Sequence, residues 1–259
     1  MIICLIVNKP PAIIDKTVQI PGRSYAVNMK PHKVDPVDIH DAWDQAFADA
    51  MELIMDGKVD EGKELLEELN LRKYYRAGYT LAYGYGAGWF GAPDDKKYLA
   101  HIYALVLKGY PAAMGDYGFC YDYGIGVKRS MRWALYWYRK AAGRGVTAAM
   151  NNLAHIYLFR EEKYRNVQLG LMYAFMAADY DDEQAQNLLG LCYEEGLGVL
   201  KDYKKAFHYF SLAVKNGAGA CAEHNLARCF RKGRGTEINL QAADELESQA
   251  TEHGYYVKK

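Results

Sequence analysis

Nowhere does this chain carry the ~20 consecutive apolar residues that a membrane helix needs. Its opening apolar run, Ile2 to Val7, has no basic stretch before it and is cut short by Pro10-Pro11, unlike a secretory leader. The expectation from both absences is a cytoplasmic protein with no membrane partner. Net charge is also missing: 32 basic residues balance 32 acidic ones, so nothing in the total favours nucleic acid or an anionic lipid surface. Cysteine is scarce and odd in number, with Cys4, Cys120, Cys192, Cys221 and Cys229 forming no CxxC pair. They read as reduced core thiols, not as a disulfide frame or a zinc site. Walker loops, HExxH and GxSxG are absent too. No cofactor, metal or catalytic residue is expected.

What the chain has is hydrophobic residues at 51%, enough for a packed core, together with 23 tyrosines and 24 glycines. Sliding the sequence by 36 residues aligns Tyr121, Tyr157 and Tyr193. The same step aligns Ala134, Gly170, Ala206 and Ala242, and separately Ala141, Ala177 and Ala213. Gly126 recurs at Gly198 and, one residue late, at Gly235. Gly109, Gly145, Gly217 and Gly254 mark another column, with Asp181 in the missing slot. Several columns in register over four periods define a repeat. Each unit reads as two helices: one such as Asn152 to Tyr157, a Gly-rich turn such as Glu195 to Val199, then an amphipathic helix such as Lys205 to Val214 that stops at Gly217. One hairpin cannot bury its own apolar face, so stacking supplies the core.

Gly124-Ile125-Gly126-Val127 followed by Ala134 to Ala142 looks like the signature of the sel-one-like repeat family, relatives of the tetratricopeptide proteins. Gly196-Leu197-Gly198-Val199 with Lys204-Lys205-Ala206 resembles it as well. The resemblance covers residues 76–254 in five units, about 76–111, 112–147, 148–183, 184–219 and 220–254, with a short tail to 259. The third replaces the Gly-x-Gly-Val turn by Arg160 to Tyr164. Residues 37–75 resemble a tetratricopeptide hairpin, with Trp43, Ala46, Phe47 and Ala50 on one helix and Leu65, Leu66 and Leu69 on the next. Residues 1–36 differ: Thr17 to Ile20, Pro21-Gly22-Arg23 and Ser24 to Val27 predict a strand hairpin acting as an N-terminal cap or a binding arm. The expected fold class is therefore all-α, a right-handed α/α superhelical solenoid of helix-turn-helix repeats with a small β-rich cap.

Candidate chemistry is thin. Gly86-Ala87-Gly88-Trp89-Phe90-Gly91 spells GxGxxG, but it falls in an inter-helix turn instead of after a strand. Neighbouring acids such as Glu161-Glu162 do not face one another on a helix. His155 lacks a second ligand at metal spacing. What the resemblance implies is protein binding on an inner surface formed by the first helices. By that frame, positions one past the Ala/Gly column point inward: Phe119, His155, Leu191 and Arg228. So do those four and five past it: Asp122-Tyr123, Leu158-Phe159, Glu194-Glu195 and Arg231-Lys232. Aromatic, apolar, acidic and basic patches in turn suit one specific protein. Bacterial stand-alone proteins of this kind include immunity proteins that occlude a cognate secreted toxin, such as a type VI effector. A scaffold or adaptor for a secretion or signalling complex is the alternative. A β-lactamase-like or peptidoglycan-acting enzyme, an activity linked to cysteine-rich secreted relatives, is a distant third.

Overall fold

The computed structural model describes residues 41–254, which divide into two compact units, 41–144 and 145–254. The strand hairpin expected within residues 1–36 lies outside the described residues. Among the described residues there is no strand, and all twelve α-helices are short. Residues 41–144 hold α1 (Asp41–Met55), α2 (Val59–Leu71), α3 (Tyr75–Ala87), α4 (Asp95–Leu107), α5 (Pro111–Tyr123) and α6 (Met131–Ala142). Residues 145–254 hold α7 (Thr147–Phe159), α8 (Val167–Ala178), α9 (Glu183–Glu195), α10 (Tyr203–Lys215), α11 (Ala220–Lys232) and α12 (Leu240–Glu252). Each consecutive pair is an antiparallel hairpin, and within each unit the second helix of one hairpin packs on the first helix of the next.

Two columns tie each hairpin together. The second helices begin at Asp94, Ser130, Asn166, Asp202 and Asn239, all short polar residues suited to capping. In four of the five the side chain accepts from backbone amides of the first turn, as Asp202 does from Lys204 and Lys205. The amides of these same residues donate back to the carbonyls of Tyr85, Tyr121, Tyr157, Tyr193 and Phe230 at 2.8–3.0 Å. This column, tyrosine in four hairpins and Phe230 in the last, thus closes each turn from α3–α4 onward through its backbone, whereas in α1–α2 the Lys58 amide reaches the Leu53 carbonyl. Its rings meet the second helix: Tyr157 stacks on Tyr173 and Tyr193 on Tyr209, at interplanar angles of 11° and 8°. That packing accounts for part of the tyrosine excess.

The small column works by volume exchange. Gly118 lies against the Tyr138 ring and Gly190 against the Phe210 ring, both rings fully buried. In the hairpin between them the first helix carries Ala154 instead, and Ala174 stands where the ring would be. The second turn glycine is pressed just as closely. A Cβ on Gly235 would come within 1.9 Å of the Tyr203 carbonyl oxygen of the preceding hairpin, and its φ is +77°. On the second helices, Ala243 rather than Ala242 continues the buried small column, because the extra residue before α11 shifts the register by one.

The stop column behaves as its glycines predict. Gly109, Gly145, Gly217 and Gly254 all have φ between +83° and +92°, and Asp181 takes the same left-handed region at +59°. Lys73, 36 residues before Gly109, joins them at +67°. The repeat step therefore reaches back to the end of α2.

Two measurements check this account. Lys73→Gly should raise stability by about 0.5–1 kcal/mol in denaturant unfolding, since lysine pays steric strain there and glycine does not. Gly190→Ala gains up to ~1 kcal/mol of helix propensity. Its new Cβ, 2.5 Å from Phe210, should cost more, leaving a net loss of about 1–3 kcal/mol. A neutral or stabilising result at Gly190 would mean that the ring has room to move.

Candidate functional site

The positions expected to form an inner face fall into two behaviours. At one past the small column, Phe119, His155, Leu191 and Arg228 are all half-buried. At five past it, Tyr123, Glu195 and Lys232 are exposed and Phe159 is half-buried. At four past it the expectation fails: Asp122, Leu158 and Glu194 are 4%, 1% and 1% exposed. A helix turns ~100° per residue, so the fourth position lies well round the cylinder from the fifth. Leu158 accordingly fills the space beside Gly170. Arg231 stays exposed at this position in the last described hairpin, reaching Asp244 at 2.7 Å.

Residues 145–254 pair part of their own charge between hairpins. Glu194 on α9 accepts from Arg228 and Arg234 of the following hairpin, each at 2.7 Å. Arg228 also donates to Asn225, which in turn donates to Asn187 at 2.9 Å. Glu194 and Arg228, expected in separate acidic and basic patches, thus belong to one internal network. Removing one member of such a network strands the others, so it serves packing between hairpins. His155 lies beside the Phe159 ring, centroids 5.7 Å apart. Burial, and secondarily the charge of Arg160, lowers its pKa to about 4, so it is a neutral ring at physiological pH. Glu195 and Lys232 of the expected charged set are exposed, and Arg231 pairs with Asp244 outside that network.

Residues 41–144 offer something different on α5. Phe119 and Tyr123 form a tight ring pair, centroids 4.4 Å apart, and Tyr123 is 55% exposed. Asp116 shares their face by its i, i+3, i+7 spacing. Its Oδ2 is shut off from solvent and has no hydrogen-bond partner, although the residue as a whole is only part-buried. Burial pushes this carboxyl up to about 8. Sequence reading passed over Asp116 because a lone acid near a helix start looks like a solvated one. Its position two before Gly118 was the only available sign.

Other chemistry is absent from what the structure describes. The GxGxxG run spans the end of α3, with Gly88 as a left-handed helix stop, and no strand precedes it among the described residues. Among the described residues no group of three His, Cys, Asp or Glu side chains could hold a metal. Burial raises the Cys192 and Cys229 thiols to about 12 and about 11. These are protonated, inert core residues. No helix among the described residues is long and apolar enough to cross a membrane.

The family model for the Sel1 repeat matches residues 111–146, 147–180, 183–217 and 222–255. Among solved structures, the fold is similar to that of a Sel1 repeat protein from Oxalobacter formigenes, with a TM-score of 0.73 at 22% identity over 81% of this chain and 85% of that one. It is also similar to an immunity protein from Pseudomonas aeruginosa, with a TM-score of 0.56 at 24% identity over 83% and 81%. Among curated relatives, chitin synthase regulatory factor 3 of Schizosaccharomyces pombe is 32% identical over 129 residues, which are 49% of this chain and 14% of that protein. The chain spans between about a seventh and about a third of the length of the first curated relatives it matches.

The buried carboxyl carries a pH signature. In the unfolded chain Asp116 titrates near 3.8, so folding takes up a proton between that pH and about 8. A raised acid pKa therefore lowers stability as pH rises through this window. Asp116→Asn should be more stable than the parent by about 1–3 kcal/mol above pH ~8, with the gap closing toward pH ~4. A pH-independent difference would show that Asp116 is already satisfied.

Proposed function

The chain belongs to the Sel1 repeat family, and we propose that it works by binding another protein, through the α5 face, rather than by catalysis. The observation that carries this is Asp116. Its Oδ2 is buried and unpartnered on the same helix face as a tight aromatic pair. Leaving a buried acceptor unmade costs about 1–3 kcal/mol, and nothing in the fold needs a carboxylate there: one and two repeat steps on, the residues are Asn152 and Leu188. A cationic side chain from a partner lying against the Phe119–Tyr123 rings would pair with this oxygen once a small side-chain shift opens it, the carboxyl giving up its proton on pairing.

The finer reading is an immunity protein that occludes a cognate secreted toxin, such as a type VI effector. Its support is the extent of the fold likeness to the Pseudomonas aeruginosa immunity protein, which runs along about four-fifths of both chains. A scaffold or adaptor is the second reading. It is favoured by the 32% identity to a protein named as a regulatory factor.

Affinity capture of the tagged chain from its native lysate tests the reading, with a bait carrying Asp116→Asn, Phe119→Ala and Tyr123→Ala run beside it. One protein should be recovered by the parent and lost from the altered bait. Equal recovery by both baits would remove the α5 face from the account. If the partner is a toxin, co-expression of the parent, but not of the altered chain, should restore growth of cells making that toxin. A partner that is a subunit of a larger machine, with no growth effect, sinks immunity and leaves the adaptor.

A further inference from the structure

Five rings form a closed circuit on the other side of the α5–α6 hairpin, and a sixth, Tyr103, joins it at Tyr117. Tyr103 on α4 meets Tyr117 at 5.3 Å, Tyr117 meets Tyr121 at 5.1 Å, and Tyr121 meets Trp133 at 6.2 Å. Trp133 then meets Tyr136 at 5.7 Å, Tyr136 meets Trp137 at 5.1 Å, and Trp137 returns to Tyr117 at 5.2 Å. Tyr103, Trp133 and Tyr136 are 43%, 48% and 44% exposed. On α5, Tyr117 and Tyr121 lie roughly opposite Phe119 and Tyr123 at ~100° per residue, so this face is separate from the one around Asp116.

The sequence along this hairpin after α5 carries charge of one sign. From Tyr123 to Arg144 there is no Asp or Glu, while Lys128, Arg129, Arg132, Arg139, Lys140 and Arg144 supply six cations. Arg132, Arg139 and Lys140 are exposed and, with Tyr136, line one shallow depression. The zero net charge of the whole chain concealed this local excess. The Lys140 ammonium is held 5.3 Å from the centroids of both the Tyr136 and Trp137 rings. It is therefore placed in advance at the aromatic surface.

The fold does not require the Trp133 and Tyr136 rings. One repeat step past Trp133 and Tyr136 stand Leu169 and Met172, and two steps past stand Lys205 and His208. An exposed run of large rings edged by cations marks an interaction surface. We propose that the outer face of α6, with the Tyr103, Tyr117 and Tyr121 rings beside it, docks an acidic segment of a partner protein. Carboxylates of that segment pair with Arg132, Arg139 and Lys140, and its proline or aliphatic side chains lie on Trp133 and Tyr136. The ring geometry disfavours single-stranded nucleic acid, which stacks on open parallel platforms. Trp133 and Trp137 each meet Tyr136 edge-on, at 87° and 84°, and Lys140 occupies ring surface.

The proposal rests on the protein-binding reading but not on the α5 face. Its test is selection of a displayed library of random linear peptides on the full-length chain. Enriched peptides should be rich in Asp and Glu, interspersed with Pro or aliphatic residues, and their binding should weaken as salt rises. A synthetic peptide of the enriched type should lose roughly tenfold or more in affinity to the exposed-site double variant Arg132→Glu, Lys140→Glu. Trp133→Ala should weaken it with no added salt dependence, and circular dichroism should show the helices of both variants intact. Enrichment without acidic character, no enrichment at all, or equal binding to the charge-reversed variant would overturn the proposal. Tighter binding of a single-stranded uridine oligonucleotide than of the best peptide would overturn it as well. If the peptides instead depend on Phe119 and Tyr123, the α6 proposal falls while the protein-binding reading stands.

Discussion

The five hairpins from α3–α4 onward depend on one backbone hydrogen bond, from the amide at the start of the second helix to the carbonyl of the aromatic column near the end of the first. Helix ends leave orphan donors and acceptors that must be satisfied somewhere. Here one orphan from each helix satisfies the other, at Tyr85–Asp94, Tyr121–Ser130, Tyr157–Asn166, Tyr193–Asp202 and Phe230–Asn239. The bond fixes the distance and register between the two helices before any side chain packs. The third hairpin shows that the bond matters more than the turn that usually accompanies it. Its first helix ends at Arg160 with no left-handed glycine, and a short 3₁₀ turn at Glu162–Tyr164 replaces the Gly-x-Gly loop. The Asn166 amide still reaches the Tyr157 carbonyl at 2.9 Å, and the 36-residue step is kept.

With the register fixed, packing becomes a matter of matching volumes across it. A glycine faces a ring at Gly118–Tyr138 and at Gly190–Phe210, while Ala154 goes with Ala174. Gly170 makes room for Leu158 where other second helices carry alanine. Interiors this dense tolerate exchange of volume between partners but not its addition at one of them. The second turn glycine obeys a harder limit. At Gly126 and Gly235 the nearest obstacle is a backbone oxygen of the hairpin before, and backbone cannot rotate away as a side chain can.

These constraints explain what could be read from the sequence. Tyr121, Tyr157 and Tyr193, and the stops from Gly109 to Gly254, recur because each meets the same backbone demand in each hairpin, and such demands leave a period. Asp181 could be placed in the stop column on the period alone, and it takes the left-handed conformation required. The Ala242 assignment missed by one because an insertion before α11 displaces everything after it. The inner-face residues were harder. The fourth and fifth positions past the small column are adjacent in sequence, yet Glu194 is buried between hairpins and Glu195 is exposed. Which of them turns inward depends on the hairpin that follows, and no local pattern records that. The pairing of Glu194 with Arg228 and Arg234 spans 34 and 40 residues. The shielded Oδ2 of Asp116 depends on burial, which the repeat period does not encode.

A repeat that assigns most columns to packing leaves few positions at which one hairpin can differ from another. On the first helix these are the places just past the small column and on the face around Asp116. On the second helix they are the outward positions. In residues 145–254 many of those places serve internal cohesion: α7 and α8 contain no Asp, Glu, Lys or Arg, and Glu194 of α9 is bound by Arg228 of α11 and by Arg234 just after it. In residues 41–144 the hairpin α5–α6 carries both candidate faces. One side presents a carboxylate oxygen without a partner beside a ring pair, and the other presents exposed rings among cations. The two sides differ in chemistry, one with a shielded carboxyl beside rings and the other with exposed cations, and sit on one hairpin. A partner, or two partners, engaging both would need a basic element for the α5 face and an acidic one for α6. That polarity is a recognition code carried by the part of the sequence that the fold leaves free.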